Sequence, residues 1–139
     1  MLSLPVEEFT TPNPVVGRDN MSPDELRELM QEYGIRHLPI VRDGVVVGLV
    51  SDRNVRFAQS LSRSHCIQIS AADIMATDPV MVKASDALDD VAFIMSDKKI
   101  GSVIVNEADG SFLGIFTVTD ALNALIEICR AARGGHCSS

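Results

Sequence analysis

Gly48-Leu49-Val50-Ser51-Asp52-Arg53-Asn54 and Gly114-Ile115-Phe116-Thr117-Val118-Thr119-Asp120 are one pattern written twice. Each has a glycine, two apolar residues, a hydroxyl residue and, three positions on, Asn54 or Asp120. Outward from this pair the likeness continues. Pro14-Val15 falls on Pro79-Val80, Met30 on Met95 and Ile35 on Ile100. The Asn106–Gly110 turn is longer than Arg42-Asp43-Gly44, which accounts for a one-residue change in register. A single repeat of about 60 residues buries too little apolar surface to be comfortable alone. Two repeats sharing a core, with a cleft between them, are therefore expected.

Each repeat reads in the same order. A short extended piece lies near Pro14-Val15-Val16 and again near Pro79–Val82. A helix follows. Ser22-Pro23-Asp24-Glu25 is a capping box with Pro at the first helical position, and Leu26, Leu29 and Met30 line one face. In the second repeat Ser85 is the expected cap, and Leu88, Val91, Ala92 and Met95 carry the apolar stripe. Two strands come next, Ile35–Val41 with Val45–Val50 and Ile100–Val105 with Phe112–Thr117, each pair a hairpin. Their nearly continuous apolar runs suit a sheet covered on both faces. A last helix closes each repeat, about Asp52–Ser60 and about Asp120–Arg133, the second with Leu122, Leu125, Ile126 and Cys129 as its buried stripe. The expected boundaries are a first repeat over 1–60, a Ser-rich linker over 61–70, a second repeat over 71–133 and a disordered tail over 134–139.

Composition narrows the function. With 139 residues, 46% of them hydrophobic and few aromatic, an aliphatic core is expected. The net charge of −7 argues against general binding to nucleic acid or to an anionic membrane, because both reward a basic surface. Cys66, Cys129 and Cys137 are odd in number and form no CxxC, which suits free thiols in a reducing cytoplasm. The N-terminus lacks a basic start with a long apolar run, so no signal peptide is expected, and no stretch approaches the length of a membrane span.

The β-α-β-β-α order, the strand Ile35-Arg36-His37-Leu38-Pro39-Ile40-Val41 and the two strand-to-helix junctions resemble a cystathionine β-synthase (CBS) domain. The duplication is similar to a tandem CBS pair, a Bateman module, over about Phe9 to Ala132. The resemblance implies an α/β fold of two pseudo-symmetric repeats packed sheet to sheet. It also implies a regulatory role with an adenosyl ligand in the inter-repeat cleft, and association into homodimers.

The residues themselves suit such a ligand. A helix beginning after Thr117 offers outward-pointing N–H groups to an anion, and Thr117 and Thr119 add hydroxyls. Asp120 has two acceptor oxygens, and a ribose cis-diol has two donors; charge-assisted bonds of this kind contribute about 1.5–3 kcal/mol each. Plain helix capping explains the same residues, and only the duplicated context favours a ligand. The resemblance gives Asp120 the ribose, and has Ile115 line the same site. It draws the base-binding half of that site from Thr11, Asn13, Val15 and Ile35, and puts Arg36 and His37 near phosphate. Arg36 as a solvated strand end and His37 as a structural histidine are the competing readings.

A second, weaker site would use Thr77, Val80, Ile100 and Gly101 with Leu49, Ser51 and Asn54. Asn54 stands where the ribose carboxylate is expected, a loss of about 1–3 kcal/mol. This site has no Arg or His at the phosphate positions, for which the nearby Lys98 and Lys99 would compensate. One Arg and one His favour AMP or ADP, and leave ATP and S-adenosylmethionine open. No resident cofactor, metal or catalytic residue is expected. His65-Cys66 and His136-Cys137 fall in segments read as mobile, and Walker, zincin and serine-hydrolase motifs do not occur. The chain is therefore expected to be non-enzymatic, acting on a separate target protein. The alternative is a dimerisation or interaction module with a vestigial cleft. Dimer contact is expected through Leu26, Leu29 and Met30 or through the Asp120–Arg133 helix.

Overall fold

The computed structural model describes residues 4–12 and 15–137, without the side chains beyond Gly134. The chain opens with a 3-10 turn, Val6–Phe9, and strand β1, Thr11–Pro12. It continues through β2 (Gly17–Arg18), α1 (Pro23–Tyr33), β3 (His37–Arg42), β4 (Val45–Ser51), α2 (Asp52–His65) and the single turn α3 (Ala71–Ile74). The second half repeats the order as β5 (Met81–Lys83), α4 (Leu88–Lys98), β6 (Ser102–Asn106), β7 (Phe112–Thr117) and α5 (Val118–Cys137). The fold is thus mixed α/β with two sheets, one ordered β2-β3-β4 and the other β1-β7-β6-β5.

Two compact units result, and they do not follow the repeats in sequence. One is formed by residues 15–79, the other by 4–12 together with 80–137. In the first, the β3–β4 hairpin receives β2 in parallel. Ser22 and Glu25 cap α1 reciprocally, with Ser22 Oγ accepting from the Glu25 N–H at 3.2 Å and Glu25 Oε1 from the Ser22 N–H at 3.0 Å. Gly34 ends α1 in the left-handed region. Leu26 and Met30 pack with Leu38, Ile40, Val50 and Val55 as the core. They serve this interior, so the expected dimer contact through Leu26 and Met30 is corrected: both are buried within their own unit.

The second unit repeats this with its own core of Val82, Val91, Met95, Val103, Val105 and Phe116, completed by Val6 from the N-terminal arm. The arm is bonded in place, with the Val6 N–H donating to the Asp86 carbonyl at 2.8 Å and β1 pairing antiparallel with β7. It also changes how α4 begins. Ser85 was expected as the cap, but Ala87 occupies that position with no side-chain bond, and the Leu88 N–H donates to the Leu4 carbonyl at 2.7 Å. The arm's backbone supplies the acceptor a cap would have given.

Four other expectations change. The opening strands form at Gly17–Arg18 and Met81–Lys83, later than expected. α2 runs past Ser60 to His65, because nothing in Leu61–Ser64 breaks a helix; Cys66 then caps it with φ 53° and its N–H donates to the Ser62 carbonyl. The stripe expected to be buried on α5 is exposed, with Leu122 at 55%, Leu125 at 56% and Cys129 also open. α5 instead turns Ala124, 1% exposed, and Ala121 inward, small residues that let the helix lie close to its unit. The helix also continues beyond Arg133 to Cys137.

Candidate functional site

Each unit builds one strand-to-helix junction, and the two are made alike. In β3 and β4, His37 stands opposite Ser51; in β6 and β7, Ser102 stands opposite Thr117. The first helical residue then bonds back to the neighbouring strand. The Asp52 N–H donates to the Arg36 carbonyl at 2.7 Å, and the Val118 N–H to the Gly101 carbonyl at 3.0 Å.

At the Thr117 junction, the Thr117 N–H donates to Asp120 Oδ2 at 2.9 Å and Thr117 Oγ1 donates to the same oxygen at 3.0 Å. The Asp120 N–H returns a bond to Thr117 Oγ1 at 3.3 Å. The carboxylate is therefore held at the helix start, where the dipole favours it. At the other junction, Ser51 Oγ donates to Asn54 Oδ1 at 2.6 Å and accepts from the Asn54 N–H at 3.2 Å. The same cradle is present without the charge.

The glycine of the motif has a role that the sequence reading left unassigned. A Cβ on Gly114 would collide with the Thr11 carbonyl, and one on Gly48 with the Met75 side chain and the Ala76 carbonyl. Thr11 pairs with Ile115, and Ala76 pairs with Leu49 through bonds of 3.1 and 2.9 Å. In each unit, then, the missing side chain admits an incoming segment beside the junction. A glycine inside an apolar strand was the available signal, since such glycines mark close backbone approach.

The candidate residues distribute as follows. Thr11, Ile115, Thr117, Thr119 and Asp120 lie in one unit, with Val80, Ile100 and Gly101 of the second set. Val15, Ile35, Arg36 and His37 lie in the other, with Leu49, Ser51, Asn54 and Thr77. Asn13 lies outside the described residues. Arg36 is thereby hydrogen-bonded to the Asn54-type junction, and Gly101 to the Asp120-type junction.

Electrostatics differ between the junctions. Asp52 pairs with Arg27 and, at 3.0 Å, with Arg56, so two arginines share one carboxylate. Burial pushes the His37 imidazole below its usual pKa; Arg36 acts in the same direction and Asp52 opposes it. His37 is thus held towards its neutral form. Among the described residues, no helix is long and apolar enough to cross a membrane.

The model of the CBS domain matches residues 6–60 and 71–127. The chain belongs to the CBS domain family. Its two copies account for the repeated junctions and both hairpins.

Curated relatives include the chloroplastic CBS domain-containing protein CBSX2 of Arabidopsis thaliana, 27% identical over 90% of this chain. The inosine-5'-monophosphate dehydrogenase of Korarchaeum cryptofilum (strain OPF8) is 33% identical over 71% of it. The CBS pair spans 65% of the length of the first and 20% of the second. Among solved structures, CBSX2 in complex with AMP is 30% identical with a TM-score of 0.74, covering 89% of this chain and 97% of its own. AcuB from Vibrio cholerae is 28% identical with a TM-score of 0.82, covering 96% and 98%. These neighbours share the fold of this chain.

Proposed function

We propose that this CBS pair senses an adenosyl nucleotide, AMP or ADP before ATP or S-adenosylmethionine, and passes the signal to a separate protein without catalysing a reaction. The Thr117–Asp120 junction carries the reading. It presents a carboxylate, two hydroxyls and a helix start within one turn, a donor and acceptor set that suits ribose and phosphate. The AMP complex of CBSX2, whose solved chain matches this one over 97% of its length, supports the ligand class.

The residue assignment follows the family resemblance. Asp120 holds the ribose, Thr117 and Thr119 bind phosphate, and Ile115 contributes to the same site. Thr11, Asn13, Val15 and Ile35 recognise the base, and Arg36 and His37 complete the anion contacts. Ser51, Asn54, Leu49, Thr77, Val80, Ile100 and Gly101 form the weaker second set. The module works in the cytoplasm as a pair of copies. Ligand acts by binding one arrangement of that pair better than another.

Isothermal titration with AMP, ADP, ATP and S-adenosylmethionine tests the reading. Binding of one adenosyl ligand that is lost in Asp120→Ala upholds it. A flat titration across the panel, on folded and nucleotide-free protein, overturns it in favour of a module that only binds proteins. The Asn54–Ser51 bond is the observation behind that second reading, since it leaves one junction without a ribose carboxylate.

A further inference from the structure

Residues 4–12 cross their own sheet and are fastened at both of its edges. That sheet is ordered β1-β7-β6-β5. At the β5 edge, the Val6 N–H donates to the Asp86 carbonyl at 2.8 Å and the Glu7 N–H to the Ala84 carbonyl at 3.2 Å. The Leu88 N–H, at the start of α4, donates to the Leu4 carbonyl at 2.7 Å. At the opposite edge, Thr11 and Pro12 pair with Ile115 and Gly114 of β7. Three strand spacings, about 14 Å, separate the two fastenings.

Between them the arm is stiff. Val6–Phe9 is a 3-10 turn, and the Thr10 N–H donates to the Glu7 carbonyl at 3.3 Å. Thr10 Oγ1 donates to the Val6 carbonyl at 2.8 Å, and both residues are buried. A displacement of Thr11 is therefore passed on to Val6 and not absorbed by slack chain. The hold of the arm on its unit is nevertheless slight, with Val6 as its one fully buried apolar side chain and a two-residue strand at the sheet edge. Segments with few buried contacts open at a lower free energy than the whole fold. The arm is thus a two-state element, closed or released.

We propose that the arm is a strap held shut by the nucleotide, and that it carries occupancy of the Thr117–Asp120 junction across the sheet to the start of α4. The inference rests on the reading that Thr11 and Ile115 belong to the nucleotide site. Those two residues stand opposite each other in the β1–β7 pairing, two positions before Thr117. Release of the arm takes Thr11 away from Ile115 and leaves that part of the site unmade. Closure restores it and places the Leu4 carbonyl on the Leu88 N–H. A ligand that binds only the closed form shifts the arm towards it. By reciprocity, loosening the arm at Val6, away from the junction, weakens the ligand.

Hydrogen exchange on the full chain tests this, with whichever of AMP, ADP, ATP or S-adenosylmethionine the titration shows to bind. The Val6 and Leu88 amides are expected to exchange at least tenfold more slowly when the ligand is bound, and to slow more than the amides of β5 and β6. Two variants test the reciprocal effect by calorimetry. Val6→Ser is expected to weaken the ligand at least tenfold. Thr10→Val keeps the shape, removes the bond to the Val6 carbonyl, and is expected to weaken the ligand about two- to tenfold. Circular dichroism checks that both stay folded, and the milder Thr10→Val decides if Val6→Ser does not.

A flat titration across the four ligands overturns both this inference and the nucleotide-sensing reading. Binding that leaves the Val6 and Leu88 amides unchanged, or slows every amide of the unit by one factor, overturns the inference alone. So does a folded Thr10→Val whose arm exchanges faster while its affinity stays that of the wild type.

Discussion

Asp120 Oδ2 accepts two bonds from one residue, the Thr117 N–H at 2.9 Å and Thr117 Oγ1 at 3.0 Å. One oxygen thus anchors the carboxylate, and the bonds described leave Oδ1 for a ligand. Asp120→Asn keeps the shape and removes the charge. It should weaken nucleotide binding by about 1–3 kcal/mol, roughly 5- to 150-fold. The converse change, Asn54→Asp, should strengthen the weaker site by a similar factor. Calorimetric titration of the two variants reads both effects, and affinities that do not move in opposite directions would sink the assignment.

Gly114 and Gly48 make a stability prediction independent of any ligand. A methyl group at Gly114 meets the backbone carbonyl of Thr11, which cannot swing aside as a side chain does. At Gly48 the first obstacle is the flexible Met75 side chain, although the Ala76 carbonyl stands close behind. Gly114→Ala should cost about 1–3 kcal/mol or more, and Gly48→Ala less. Urea melts of the two variants would show this order. Equal midpoints would mean that β1 is not held against β7 as described.

His37 sets a pH dependence. Its folded pKa lies below its ordinary value, so the unfolded chain binds the proton more readily. Stability is then full above the unfolded pKa, about 6.5, and falls as pH drops below it towards the folded value. His37→Gln should flatten this part of the curve. Thermal melts from neutral to mildly acidic pH, compared between the two proteins, check the sign. A wild type that gains stability on acidification, relative to the variant, contradicts the assignment.

Val6 is fully buried in the core of the unit that contains α4 and Phe116. Val6→Ala should cost about 1–3 kcal/mol. Removing the arm as a whole should cost far more, because the α4 start loses the Leu4 carbonyl and β7 loses an edge partner. Hydrogen exchange would show the loss concentrated in α4 and β7, with residues 15–79 little changed. A uniform loss over the whole chain would disprove the separate accounting.

Lys99 ends α4 at φ 55°, where its counterpart Gly34 ends α1 at φ 63°. Left-handed backbone suits glycine and costs other residues about 1–2 kcal/mol. Lys99→Gly should therefore raise stability by roughly 1 kcal/mol, readable as a higher melting temperature.

Much of this architecture is legible in the sequence because it is local. The Ser22–Glu25 box, the hairpins and the inward faces of α1 and α4 follow from spacing alone, and the doubled motif marks both junctions. The remainder depends on partners distant along the chain. Nothing near Ala87 announces that its helix is capped from Leu4, and a two-residue strand such as β1 has no periodicity to read. α5 misleads for a related reason. Its longest apolar row looks buried, yet the side that packs is the one with alanines, because close approach selects for small size over hydrophobicity. The motif residues were legible, while the purpose of Gly48 and Gly114 appears only beside the segments they admit.

The interleaving of the chain has a consequence for its synthesis. Residues 15–79 leave the ribosome together and contain everything their unit needs. The arm emerges before them but belongs with residues 80–137, which emerge last. Until α4 and β7 have been made, Val6 and the unpaired edge of β1 remain open to solvent. A nascent chain halted near Pro79 would therefore pair one finished unit with a bare, sticky leader, a distinctive mark for chaperones and proteases that inspect incomplete products.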